Sequence, residues 1–153
     1  MSTVKTIHAN CLKIGNKGII LTGPSGSGKS VLTLSLLERA HWAQRVSILV
    51  SDDYTDLTSK NGELYGQCPE TLRGGIEIRG AGLYQMPFLS EVAVDFIVEL
   101  GNDYERFPSG KKLTYFGISV PLYRLPALGQ ADCTAICQAI EAICFKKLWT
   151  NHQ

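Results

Sequence analysis

Eight consecutive residues, Gly23-Pro24-Ser25-Gly26-Ser27-Gly28-Lys29-Ser30, have the types and spacing to hold a phosphate chain. They match the Walker A pattern G-x-x-x-x-G-K-S, with an apolar run before them and a Leu-rich stretch after. The glycines let backbone N–H groups curl around a β-phosphate. The start of the following helix adds partial positive charge. Lys29 is suited to neutralise β- and γ-phosphate oxygens, and the Ser30 hydroxyl to ligate Mg²⁺. The chemistry expected is ATP binding with phosphoryl transfer. A glycine-rich turn that merely caps a helix is the competing reading; the strand–loop–helix context weighs against it.

A second constellation is Asp52-Asp53, which follows the apolar run Ile48-Leu49-Val50. A carboxylate at the end of a strand beside a phosphate loop is placed to hold Mg²⁺. With two in a row, one carboxylate is free to handle a proton, and juxtaposed carboxylates tend to separate in pKa. The alternative is a simple turn, where Asp is common. His8 lies in the first strand; its type and spacing alone favour a structural role.

These groups need elements to position them. Val4 to Ile14 is rich in strand formers, Gly15 to Gly18 reads as a turn, and Ile19 to Thr22 as a strand leading into the loop. Lys29 to Ala40 has helical periodicity, with Leu32, Leu36 and Ala40 on one face and Thr33 and Leu37 beside it. Ala43 to Ile48 is irregular or begins the next strand, Ile48 to Val50. Tyr54 to Ser59 and Glu63 to Gly66 flank Lys60-Asn61-Gly62, a strong hairpin signal. Ile76 to Arg79 is a short strand before Gly80-Ala81-Gly82. Val92 to Leu100 alternates as one half-buried strand. Gly101 to Lys112 is a polar loop. Leu113 to Leu125 suggests two short strands broken near Gly117 and Pro121. Thr134 to Trp149 reads as a second helix, with Ile136, Ile140, Ile143 and Leu148 near one face. Two helices and about eight strands cannot build a repeating strand–helix alternation. The expected fold is therefore a P-loop domain of α/β or α+β type: a mixed β-sheet with few helices, one domain spanning 1–153.

Composition narrows the function classes. The chain has 153 residues, 44% hydrophobic and 19% charged, with a net charge of +1. That balance argues against an extended nucleic-acid surface. No apolar run approaches the roughly 20 residues that span a bilayer. Met1 to Ile14 has polar residues throughout and no continuous apolar stretch, so it does not read as a signal peptide, and the expectation is a cytoplasmic protein with no membrane partner. The five cysteines, Cys11, Cys68, Cys133, Cys137 and Cys144, read as reduced core residues rather than metal ligands.

The ordered set of His8 with 9–18, GPSGSGKS at 23–30, LVSDD at 49–53, Glu77-Ile78-Arg79-Gly80-Ala81-Gly82 and GISVP at 117–121 resembles the catalytic C-terminal domain of HPr kinase/phosphorylase. Ile76 to Gly82 is similar to that family's signature E-I-R-G-x-G. The resemblance implies a fold related to phosphoenolpyruvate carboxykinase. It also implies an ATP- and Mg²⁺-dependent protein-serine kinase acting on HPr, the phosphocarrier of the sugar phosphotransferase system. Phosphorolysis of phospho-Ser-HPr and hexameric assembly belong to the same family. Residue by residue, it implies Asp52 as general base with His8 in contact with it, and Asp53 and Ser30 at Mg²⁺. Lys29 becomes the phosphate lysine, Arg79 stabilises phosphoryl charge, and Arg106 is a mobile-loop arginine implicated in transfer.

Departures from the family pattern are local. The chain resembles a short form without the N-terminal domain. Val31 stands where many members carry an acidic residue, 40–48 is longer than typical, and 125–130 lacks a Gly-Arg-Asn element. The C-terminal helical region is also short. Two other functions stay open on the sequence: a nucleotide-binding regulatory module with little turnover, and a small-molecule P-loop kinase.

Overall fold

The computed structural model describes residues 3–149. The chain forms β1 (Lys5–Ile7), β2 (Ala9–Ile14), β3 (Lys17–Thr22), α1 (Lys29–Trp42), β4 (Ser47–Ser51), β5 (Thr55–Lys60) and β6 (Glu63–Gln67). After a 3₁₀ turn at Glu70–Leu72 come β7 (Gly75–Ile78), β8 (Gly82–Gln85), β9 (Glu91–Ala93), β10 (Phe96–Gly101), β11 (Lys112–Tyr115), β12 (Ile118–Pro126) and α2 (Cys133–Phe145).

Six strands make a mixed sheet in the order β11-β12-β10-β3-β2-β4. Within it β3, β10 and β12 run parallel, while β2 and β11 are antiparallel to their neighbours. A smaller antiparallel sheet has the order β1-β5-β6-β9, and β7-β8 is a separate hairpin. Both faces of the large sheet are covered. On one side Leu12, Ile14, Ile19, Leu21, Val98 and Leu100 pack with Leu32 and Leu36 of α1 and Ile136 and Ile140 of α2. On the other side Cys11, Ile20, Val50 and Ile97 pack with Leu57, Leu64 and Val92 of the small sheet. Strand alternation thus feeds two cores, giving three layers: helices, large sheet, small sheet. The mixed-sheet, helix-poor fold class expected from the sequence is the one observed.

Several elements differ from the sequence reading, each for a physical reason. The run Val4 to Ile14 is two strands, because the chain leaves the small sheet and enters the large one at His8. The run Val92 to Leu100 breaks in the same way after Ala93. At that break Asp95 N–H donates to the Gly18 carbonyl at 2.8 Å, and the Gly18 N–H donates back to Asp95 Oδ2 at 2.8 Å. Val92 and Val94 consequently face a different core from Phe96, Val98 and Leu100. These two crossings and the unannounced β8 bring the described residues to twelve strands.

Pro121 does not interrupt β12. It sits opposite Lys112 of β11, and pairing with β10 starts only at Leu122, so its missing N–H costs no ladder bond. The strand β8 had no alternation to announce it; Leu83 and Tyr84 are both exposed. Helix α2 starts on the Asp132 cap, whose side chain accepts from Ala135 N–H at 2.8 Å, and it ends at Phe145. Leu148 therefore lies beyond the helix, 85% exposed. The Asn61-Gly62 turn is as expected, with φ of 52° and 76°. The cysteine reading also agrees with the packing: all five thiols are free, and Cys11, Cys68 and Cys137 are buried. Burial pushes the Cys137 and Cys144 thiols up to about 12.

Gly18 is the tightest joint between the sheets: a Cβ there would stand 1.9 Å from the Ala93 carbonyl oxygen. Gly18→Ala is expected to cost about 2 kcal/mol or more, since the neighbour is backbone rather than a mobile side chain. A thermal melt should show Tm lowered by roughly 5 °C or more; an unchanged Tm would mean that the junction is free to shift.

Candidate functional site

The glycine-rich loop joins the end of β3 to the start of α1. Gly28, the residue before the helix, has φ 100°, and a Cβ on it would lie 2.4 Å from Leu128 Cδ1. At Gly23 a Cβ would meet the Leu100 carbonyl at 2.7 Å. Only glycine fits both positions. The loop is closed by Ser27 N–H to the Pro24 carbonyl at 3.1 Å and held from outside by Leu128 N–H to the Ser27 carbonyl at 3.1 Å. No side chain caps α1, so its first N–H groups point into the loop as an anion cradle. Lys29 is buried and donates to the carbonyls of Gly23, at 2.7 Å, and Pro24, at 3.2 Å. Burial lowers its pKa, and the charges of Asp53 and Asp52 oppose that shift. The Ser27 hydroxyl is buried with no hydrogen-bond partner among the described residues, a polar atom of the loop that a phosphate oxygen would satisfy.

The acidic pair divides sharply. Asp52, only 8% exposed, accepts from Ser30 Oγ at 2.6 Å and from Asn10 Nδ2 at 2.8 Å on Oδ1, and from Glu77 N–H at 3.0 Å on Oδ2. Asp53 has a 58% exposed side chain, and its Oδ1 accepts from His8 Nε2 at 2.7 Å. Its backbone is left-handed, φ 71°, with Tyr54 N–H closing onto the Asp52 carbonyl at 2.8 Å. That strained conformation turns the second carboxylate away from the first. The Tyr54 ring flanks His8, centroids 5.3 Å apart.

This corrects one expectation. The resemblance implied His8 against Asp52, with Ser30 and Asp53 together; the contacts are His8 with Asp53 and Ser30 with Asp52. The strand register is the reason. Ile7 pairs with Thr55 in the small sheet and Cys11 with Ser51 in the large one. The crossings 8–10 and 52–54 must then face each other, and Asp53 falls on the His8 side.

Arg79 lies exposed just past β7, two residues beyond Glu77. Arg106 is exposed in the loop between β10 and β11, its guanidinium 5.4 Å from the Phe107 ring centre. Among the described residues neither arginine bonds to Asp52, Asp53 or Lys29. An open cleft of about 550 Å³ adjoins the loop, bounded by His8, Thr22, Gly23, Pro24, Glu99 and residues 100–103. The sequence reading missed Asn10 and Thr33. The detectable signal was an amide in β2 among Ala9, Cys11, Leu12 and Ile14.

Among the described residues no three His, Cys, Asp or Glu side chains cluster as a metal site. A Ser30–Asp52 pair suits Mg²⁺, which takes one or two protein ligands and completes its shell with phosphate oxygens and water.

The family model of the HPr Serine kinase C-terminal domain matches residues 1–151. An HPr kinase/phosphorylase of Streptococcus equi subsp. zooepidemicus is 31% identical over 148 residues, covering 88% of this chain and 46% of the relative. One from Caldicellulosiruptor bescii is 31% identical over 135 residues, covering 79% and 42%. The chain thus spans about half the length of the curated relatives it matches. The solved structure of the Hpr(Ser) kinase/phosphatase from Coxiella burnetii is similar with a TM-score of 0.75 and 28% identity, over 91% of this chain and 95% of that one.

Lys29→Ala removes the cation of the cradle. Mg·ATP affinity measured by calorimetry should fall by about tenfold to a hundredfold, the range of one charged hydrogen bond. Unchanged affinity would reject the loop as the phosphate site.

Proposed function

Since this chain belongs to the family of HPr serine kinase C-terminal domains, we propose that it acts in the cytoplasm as an ATP- and Mg²⁺-dependent protein-serine kinase on an HPr-type phosphocarrier, within control of carbohydrate uptake. We also infer that residues 1–153 work as one catalytic domain, that the reverse phosphorolysis is available to it, and that it assembles as a homo-oligomer, hexameric as in the family.

The observation that carries the mechanism is the unequal exposure of the two aspartates. A folded protein presenting a serine can reach Asp53 but not Asp52. Asp53 is therefore read as the general base, held by His8 on one oxygen and open on the other. Loop N–H groups and Lys29 bind the phosphates. Ser30 and Asp52 would hold Mg²⁺, which supplies charge neutralisation at the phosphate oxygens. The serine oxygen bonds to the γ-phosphorus as its proton passes to Asp53 and ADP leaves. In phosphorolysis inorganic phosphate takes the phosphoryl group, protonated Asp53 returns the proton to the serine oxygen, and pyrophosphate leaves. By family resemblance Arg79 is assigned to phosphoryl charge and Arg106 to the transfer step.

A Mg²⁺ titration separates the carboxylates. Asp53→Asn should retain Mg·ATP and slow transfer to serine by about a hundredfold or more at every Mg²⁺ level. Asp52→Asn should raise the Mg²⁺ requirement, with excess Mg²⁺ restoring part of the rate. Rescue of Asp53→Asn and not of Asp52→Asn would invert the assignment.

A further inference from the structure

Asn10 lies in β2 with no solvent exposure, on the face that Leu12 and Ile14 use for the helix-side core. A buried amide there is costly unless its hydrogen bonds are met. Its Nδ2 donates to Asp52 Oδ1 at 2.8 Å and to Thr33 Oγ1 at 3.0 Å, and its Oδ1 accepts the backbone N–H of Asp53 at 2.9 Å. The amide has only one workable orientation. Thr33 spends its own proton on the Lys29 carbonyl, 2.8 Å away, so its oxygen can only accept from Asn10. A flipped amide would set oxygen against the Asp52 carboxylate and NH₂ against the Asp53 N–H.

The two aspartates depend on Asn10 unequally. Asp52 keeps Ser30 Oγ and Glu77 N–H when Asn10 is removed. The Asp53 N–H has Asn10 as its hydrogen-bond acceptor, at a residue whose left-handed φ of 71° must be held by its surroundings. We infer that Asn10 is a positioning residue for Asp53: braced by Thr33 on the phosphate-loop helix, it holds the left-handed turn that aims the second carboxylate at His8 and the incoming serine. The chain Lys29 carbonyl, Thr33, Asn10, Asp53 links the turn that carries the phosphate lysine to the proposed base. This inference rests on the reading of Asp53 as the base.

The test compares Asn10→Leu, Thr33→Val, Asp53→Asn and the double variants of each of the first two with Asp53→Asn. Two quantities are read: transfer to an HPr-type protein at saturating Mg·ATP, and Mg·ATP affinity by calorimetry without acceptor. Asn10→Leu should lower transfer at least about tenfold, toward the hundredfold that a misplacement of about 1 Å costs. Its Mg·ATP affinity should change less than about threefold, because the cradle and the remaining donors to Asp52 persist. Thr33→Val should fall in the same direction by a smaller factor. Once Asp53 is Asn, neither further substitution should slow transfer more, since each acts through Asp53. Should Asn10→Leu not fold, Thr33→Val and its double variant carry the same comparison. Transfer that survives in both single variants, or losses that add in full to that of Asp53→Asn, would overturn the role of Asn10 alone. If Asp53→Asn itself transfers normally, the base assignment fails and the role of Asn10 fails with it.

Discussion

A carboxylate removed from water must be compensated, and Asp52 meets that requirement with donors from three parts of the chain. Ser30 reaches it from the first turn of α1, Asn10 from β2, and the Glu77 N–H from β7. An ionised carboxylate nine-tenths buried is stable only with such partners. The demand works in both directions, since the same bonds lock the phosphate-loop helix, β2 and the β7–β8 hairpin into one arrangement. Remove the carboxylate and the fully buried Asn10 amide loses a partner, at a cost of about 1–3 kcal/mol. The site and the joint between layers are therefore one object.

The second organising feature is the exchange of strands between sheets. At His8, at 52–54 and at 94–95 the chain leaves one sheet and joins the other. Each crossing interrupts regular pairing and frees backbone and side chain from the ladder. Two of these interruptions lie side by side because their flanking strands are paired in both sheets, β1 with β5 and β2 with β4. His8, Asp52 and Asp53 belong to them, and Asn10 reaches in from the adjoining β2. Polar groups collect there because regular strand could not accommodate a left-handed Asp53.

What was legible in the sequence follows from how local each signal is. The phosphate loop, the amphipathic stretch Lys29 to Ala40 and the Asn61-Gly62 turn are set by neighbours within a few residues. Those readings match the structure. The scarcity of helix was likewise visible in the periodicity, and it led to the right fold class. The strand breaks at His8 and after Ala93 were hidden, because an alternating run looks the same when its halves serve two different cores. Pro121 misled for the converse reason: a break-forming residue is harmless where the facing strand has not yet begun to pair. Which aspartate meets His8 could not be read from adjacent positions at all. It depends on the register of four strands and on one left-handed residue, both consequences of long-range packing.

The approach of Leu128 to the phosphate loop ties the two ends of the chain together. Its side chain fills the space left by the absent Cβ of Gly28, and its N–H holds the Ser27 carbonyl. The connection between β12 and α2 is thus a wall of the loop rather than a passive surface link. Length changes in surface connections usually cost little. Here an insertion or deletion of one residue between Pro126 and Ala131 would displace Leu128 and alter the cradle's shape from more than 90 residues away along the chain. Changes in that segment would accordingly alter how tightly the loop grips, with no substitution inside the glycine-rich motif itself.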